Sequence, residues 1–271
     1  MKFALISQAF VVKSYKVNNG KAYTLDGQPY SYSHSIGNEF FMGFWNYPFL
    51  FDGYYLNMSD LHLINEDLDV IIFANDNIKQ VTVSTLRKKF PNACIIASVK
   101  EMWTSDGKLM LSDIRNYYDN KTLSIFSYQH HLPHRTANSK EIATHLGNTF
   151  NIPVFEKYTD HRMHGIDQLK IHTEAWSKCL FMVNADPSFN YGQQSTLCAA
   201  GGTINIGGNN DANSFLYPST NTLDIKKLEL EVEKIINNEK YREHIMQLAF
   251  KELHKYYSYD AVKQMILNIV L

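Results

Sequence analysis

Three stretches of this chain carry side chains suited to chemistry. Residues 130–136 read His-His-Leu-Pro-His-Arg-Thr and directly follow the apolar run at 123–128. An arginine grips phosphate through two parallel hydrogen bonds, with a charge that physiological pH does not remove. Three histidines and Arg135, in a loop at a strand's end, therefore make a candidate anion clamp. Zinc is a rival ligand, although the His131–His134 spacing without a cysteine nearby is a weak ligand set. A solvated polar loop is the plain alternative. The second stretch is 178–208, KCLFMVNADPSFNYGQQSTLCAAGGTINIGG, in which Asp186-Pro187-Ser188 interrupts an apolar run and glycine 192 precedes Gln193, Gln194 and Ser195. The third is Glu101, with Asp106 in reserve, after the run ACIIASV.

The elements that must position these groups can be read from periodicity. Residues 179–184 have the length and apolarity of a buried strand. Proline has no N–H for a strand ladder, so 186–188 break it. Residues 193–200 suit a helix that Gly201-Gly202 ends, residues 203–206 start another strand, and 207–210 read as a flexible loop. A helix that begins just beyond a strand points unpaired N–H groups and the positive end of its dipole at the sheet's edge. An anion seated there would be surrounded by Tyr191, Gly192, Gln193, Gln194 and Ser195. The bland alternative is an ordinary βαβ unit with a polar loop.

The same reading extends along the chain. Residues 2–9 form a first strand ending at Ser7-Gln8, polar groups on the edge where open α/β sheets bind ligands. Asp26-Gly27 marks a turn, and a hairpin is expected around KAYTLDGQPYSYS. Gly37 precedes an aromatic run at helical spacing and lets backbone approach a ligand. Residues 61–64 suit a short strand, 69–74 and 93–99 buried strands, and 75–90 a capped helix with Val81, Leu86 and Phe90 inward. A second strand–helix series starts near 123, with helices expected over 139–150 and 166–176, a strand at 152–155 and a strand end at 216–218. Asp224 caps a helix reaching 237, and two more helices, 239–256 and 259–271, close the chain. The pattern predicts an α/β protein of two Rossmann-like lobes, 1–121 and 122–271, with a helical C-terminal tail.

Bulk properties narrow the function classes. A net charge of −1 over 271 residues disfavours a strongly electrostatic nucleic-acid binder. The three cysteines, 94, 179 and 198, sit far apart in apolar runs. They read as buried thiols of a reducing compartment rather than disulfides or zinc ligands. The start MKFALISQAF lacks a signal-peptide pattern, and no run is long enough to span a bilayer, so a cytoplasmic protein is expected. The absence of GxGxxG after the first strand, of GxxxxGK[ST] and of GxSxG argues against a nicotinamide dehydrogenase, a P-loop NTPase and an α/β-hydrolase. Asp67 and Asp69 stand at the N-terminal end of a strand, the wrong end for a site. Residues 158–164, YTDHRMH, read as a charged surface turn, and Arg87-Lys88-Lys89 as a solvated helix end or a weak basic track.

The order of features in DPSFNYGQQSTLCAAGGTINIGG resembles the donor-binding segment of GT-B nucleotide-sugar glycosyltransferases. In that family a strand ends in a Pro-Ser loop, a glycine opens a helix, and an Ala- and Gly-containing corner leads to a β-branched strand and a Gly-rich loop. The tail is also similar, with Tyr257-Ser258-Tyr259 before a final helix that in the family often packs back on the first lobe. The resemblance is clearest over 120–271. It departs in lacking any acidic residue between Asp186 and Asp211, where many retaining members carry two glutamates. Asn190, Gln193, Gln194 or Thr196 would take those roles, or the roles are absent.

This resemblance implies two lobes facing across a cleft and transfer of a sugar from a nucleotide-diphosphate sugar, such as a UDP-sugar, to an acceptor hydroxyl. It implies no metal and no cofactor beyond the nucleotide sugar, because helix dipoles and basic side chains replace the metal. Arg135 would neutralise the leaving diphosphate. Ser7 and Gly37 would line the cleft from the first lobe. Phage DNA glucosyltransferases of this fold include members with an Asp base in the first lobe. By position that role passes to Glu101, whose pKa Met102 and Trp103 would raise. The acceptor would be a modified DNA base or a glycan. The alternatives are a non-catalytic nucleotide-sugar-binding protein and a sugar-nucleotide epimerase. The oligomeric state is not readable from the sequence.

Overall fold

The computed structural model describes residues 1–7, 13–30, 47–74, 80–98, 121–129, 133–158, 176–185, 193–208 and 211–271. The chain divides into two compact units, Met1–Thr104 with Tyr259–Leu271, and Ser105–Ser258. Each has its own sheet.

The first unit contains β1 (Phe3–Ser7), β2 (Tyr15–Asn18), β3 (Lys21–Thr24), α1 (Tyr47–Leu50), β4 (Tyr54–Asn57), β5 (Val70–Ala74), α2 (Gln80–Lys89) and β6 (Cys94–Ser98). The sheet runs β3-β2-β4-β1-β5-β6, with β4, β1, β5 and β6 parallel. A strand covered on both faces must be apolar at every position, and in β1 Phe3, Ala4, Leu5 and Ile6 are all fully buried. Because successive side chains alternate across a strand, Phe3, Leu5, Tyr55, Val70 and Ile72 feed one core, which Val262 and Ile266 of the chain's last helix complete. Ala4, Ile6, Leu56, Ile71 and Phe73 feed the other, covered by Leu86 and Phe90. Each such Leu or Ile contributes about 1.5–3 kcal/mol by leaving water.

The second unit contains β7 (Thr122–Gln129), α3 (Pro133–Phe150), β8 (Val154–Tyr158), β9 (Cys179–Val183), α4 (Gln193–Gly201), β10 (Ile204–Ile206), α5 (Asp211–Leu216), α6 (Ile225–Asn237) and α7 (Glu239–Tyr257); α8 (Tyr259–Val270) belongs to the first. Its sheet is wholly parallel in the order β10-β9-β7-β8. Numbered within each unit, the parallel strands share one order, second-first-third-fourth. The hairpin β2-β3 is an addition to the edge of the first.

Several expectations need correction. The hairpin expected at Asp26-Gly27 is present, with Tyr23 bridged to Pro29 and the Thr24 N–H donating to the Gln28 carbonyl at 2.8 Å, but a second hairpin that was not expected joins β2 to β3 through Asn19-Gly20, with φ of 50° and 68°. Both central residues of that tight turn need positive φ, which Asn-Gly tolerates. Asp26-Gly27 makes the next turn, closed by the bond from the Gly27 N–H to the Thr24 carbonyl at 2.9 Å. The expected strand at 61–64 is part of a 3-10 helix, Met58–Leu63, and the strand is β4 just before it. Residues 133–138, read as loop, are helical, because Pro133 occupies the first helical position, where a missing N–H costs nothing. The expected strand end at 216–218 is the end of α5. Expected helices around 37–45 and 166–175 lie outside the described residues, as do the charged stretch after Tyr158 and the start of the helix before Gln80. Asp69 is structural, since its carboxylate accepts the Lys2 N–H at 2.6 Å. Asp224 caps α6, accepting from the N–H groups of Lys226 and Lys227 at 3.1 and 3.3 Å.

Candidate functional site

In an open parallel sheet, ligands bind beyond the strands' C-terminal ends where strand order reverses. In the second unit the chain steps from β7 to β8 on one side, then crosses to β9 on the other. The reversal therefore falls between β7 and β9, neighbours paired from Thr122–Cys179 to Ser127–Val183. The helices that follow these two strands in the described chain, α3 and α4, begin at Pro133 and Gln193. Their N-terminal turns thus come from the two strands that flank the switch point.

The residues in those turns are unusual. Asp and Glu are favoured in a first turn and cations disfavoured, because the helix dipole is positive there. Neither α3 nor α4 has an acidic residue in its first turn. The first turn of α3 instead carries His134 and Arg135. That of α4 carries Gln193, Gln194 and Ser195, which have no charge. Two helix starts without a first-turn carboxylate, one of them carrying an arginine in its sequence, suit an anion.

The edge beneath is held by polar contacts. The Ala185 N–H, where the chain leaves β9, donates to Ser139 Oγ on α3 at 2.8 Å, and both residues are fully buried. The chain leaving β10 is held against that exit. The Asn184 N–H donates to the Ile206 carbonyl at 2.8 Å and the Gly207 N–H to the Thr220 carbonyl at 3.1 Å. Gly207 has φ of 137°, and a Cβ there would overlap the Asn184 carbonyl oxygen. Only glycine serves at such a crossing. The expected flexible loop at 207–210 is thus a buried, bonded crossing at Gly207 and Gly208, while 209–210 lie outside the described residues. Gly202, with φ of 69°, ends α4 as expected.

Ser195 turns its hydroxyl inward. It is fully buried and accepts from Asn205 Nδ2 at 3.0 Å. Asn205 also donates to Asn213 Oδ1 at 2.9 Å, and Asn213 Nδ2 donates to the Gly207 carbonyl and to Asn221 Oδ1, the latter at 3.2 Å. Nothing in the motif reading pointed to Ser139, Asn205, Asn213 or Thr220. The one available signal was Asn205 itself, an amide between two isoleucines in a buried strand.

At the sheet's opposite edge, Lys121 Nζ donates to the Ser177 carbonyl and to Thr203 Oγ1, the latter at 2.8 Å. Burial pushes its pKa down to about 8, while the nearby Cys198 and Cys179 thiols oppose that shift. Burial in turn pushes both thiols up. Cys94, Cys179 and Cys198 form no disulfide. Among the described residues no group of three or more His, Cys, Asp or Glu could hold a metal ion, and no helix is long and apolar enough to cross a membrane.

Of the sequence-derived candidates, Arg135 and His134 lie together in the first turn of α3, and Gln193, Gln194 and Ser195 in that of α4. Ser7 ends β1 in the first unit, in register with Asn57 of β4 and Ala74 of β5. His131, Tyr191, Gly192, Gly37 and Glu101 lie outside the described residues.

No family model and no curated protein matches the chain. Among solved structures, a GtfA/B complex is similar at 10% identity and a TM-score of 0.41, covering 99% of this chain and 52% of that one. This chain thus spans about half the length of that relative. AviGT4, a glycosyltransferase involved in avilamycin A biosynthesis, is similar at 7% identity and a TM-score of 0.46, covering 100% of this chain and 97% of the other. Likeness this distant carries no argument about activity.

Proposed function

We propose that the chain transfers a sugar from a nucleotide-diphosphate sugar to an acceptor hydroxyl without a metal. The observation that carries this reading is the pair of helix N-termini at the β7/β9 switch point, with no carboxylate in either first turn and with Arg135 in one of them. A diphosphate seated there meets backbone N–H donors, two helix dipoles and a guanidinium. These groups stabilise the departing nucleoside diphosphate as its charge develops, so catalysis is mainly electrostatic. The resemblance of residues 178–208 to the GT-B donor segment supports the same assignment. His131, His134, Tyr191, Gly192, Gln193 and Gln194 complete the donor site. Ser7 and Gly37 line the path from the first lobe. Glu101 takes the acceptor's proton, and the acceptor is a modified DNA base or a glycan.

The lack of any acidic residue between Asp186 and Asp211 favours one competing reading, a nucleotide-sugar-binding protein without transfer activity. Thermal-shift titration with UDP, GDP, ADP and their sugars tests donor binding, since a ligand bound only by the folded state raises Tm. Slow release of free sugar from the donor that binds then separates enzyme from binder. Arg135→Ala should lower donor turnover about 100-fold or more, the scale for losing one stabiliser of a developing anion, with Tm little changed. Wild-type turnover in that variant would remove Arg135 from the site.

A further inference from the structure

We propose that Asn205 is a positioning residue that sets the first turn of α4 for an anionic ligand. This rests on the reading that a diphosphate seats at that turn. Asn205 occupies the middle of β10 between Ile204 and Ile206 and is fully buried. An apolar side chain would fill that place without the cost of burying an amide. The amide is instead the hub of the sheet edge. Its Nδ2 donates to Ser195 Oγ in the first turn of α4 at 3.0 Å and to Asn213 Oδ1 on α5 at 2.9 Å. Its main-chain carbonyl accepts from Thr220 Oγ1 at 2.6 Å. Asn213 carries the network on to the Gly207 carbonyl, where the backbone crosses Asn184. Through Asn213, the Asn205 side chain thus joins the helix tip to the exit of β10. Asn205 Oδ1 is buried and has no hydrogen-bond partner.

α4 needs such a tie. After Ser195 its buried residues are mainly small, Cys198, Ala199 and Ala200, with Leu197 the one large apolar side chain. Small side chains let a helix slide along its neighbours, whereas a hydrogen bond fixes its height. The N–H groups of the first turn must sit at hydrogen-bond distance from the ligand, so a small displacement of α4 weakens binding of phosphate more than binding of a nucleoside held elsewhere.

The test uses the full chain, the nucleoside diphosphate among UDP, GDP and ADP that binds the wild type, and the matching nucleoside. Asn205→Leu keeps the shape and removes the donors. It should weaken the diphosphate about tenfold or more, on the scale of sub-ångström to ångström misplacement, and leave the nucleoside nearly unchanged. Asn205→Asp keeps the shape and adds a carboxylate beneath the anion. Its loss of diphosphate affinity, relative to wild type at each pH, should be largest near neutrality and shrink as the carboxyl is protonated. That pH-reversible, phosphate-selective loss is not expected of a merely structural residue, and it remains readable if the Leu variant fails to fold. Equal losses for diphosphate and nucleoside, or no loss in either variant, would overturn the inference while leaving the donor site standing. Failure of the wild type to bind any of the three diphosphates would instead remove the donor site, and the inference with it.

Discussion

Lys121 shows how much one side chain can cost when its surroundings suit only part of it. Its ammonium donates to Ser177 and Thr203, yet the titratable neighbours that act on it are two thiols, not a carboxylate. Burial lowers its pKa from 10.5 to about 8. Between those values the unfolded chain keeps a proton that the native chain has released, so native stability rises with pH across that window. The burden at pH 7 is about 3 kcal/mol, at roughly 1.4 kcal/mol per unit. Lys121→Met is neutral at every pH. Whatever its stability relative to wild type at pH 7, that relative stability should fall by about 3 kcal/mol as pH rises through the window. Urea melts of both proteins at pH 7, 8, 9 and 10 measure the difference, and a difference independent of pH would show that the lysine is not desolvated. None of this was legible in the sequence, where Lys121 marked only a boundary between series. Thr203 is 82 residues away along the chain.

At the scale of elements, legibility followed the number of buried faces. β5 and β9 are covered on both sides and read as continuous apolar runs, which periodicity finds. β2 and β4 escaped. β2 lies near the sheet's edge with alternating burial, Tyr15 and Val17 in and Lys16 and Asn18 out, and its turn signal competed with a second one seven residues on. Apolar residues at 61, 63 and 64 imitate a strand, but the chain there forms a 3-10 helix. The early start of α3 was hidden because proline reads as a breaker unless it is seen at the first helical position. That start turns Arg135 from a loop residue into a first-turn residue. α3 is fixed to the sheet edge through Ser139. Ser139→Ala would strand the buried Ala185 N–H, and an unsatisfied buried donor costs about 1–3 kcal/mol. Chemical denaturation should show that loss, and hydrogen exchange should show Ala185 losing protection first. Unchanged protection at Ala185 would mean that the serine is not its partner in solution.

Across the whole molecule, the chain's ends meet in one unit. α8 follows the second unit in sequence, yet Val262 and Ile266 are almost fully buried with Phe3, Leu5 and Val70 of the first. The amphipathic pattern of 259–271 could be read from the sequence, but its partner could not, because a helix's apolar stripe does not name the surface it covers. The core of the first unit therefore draws on residues that follow the whole second unit in sequence. Ile266→Ala should cost about 2–4 kcal/mol, the range for emptying a buried branched side chain. If the two units are separate cooperative bodies, the loss is confined to one. Native-state hydrogen exchange on the full-length variant should then show faster exchange in β1, β4 and β5 and unchanged exchange in β7 and β9. Equal acceleration in both sheets would mean that the units unfold as one body.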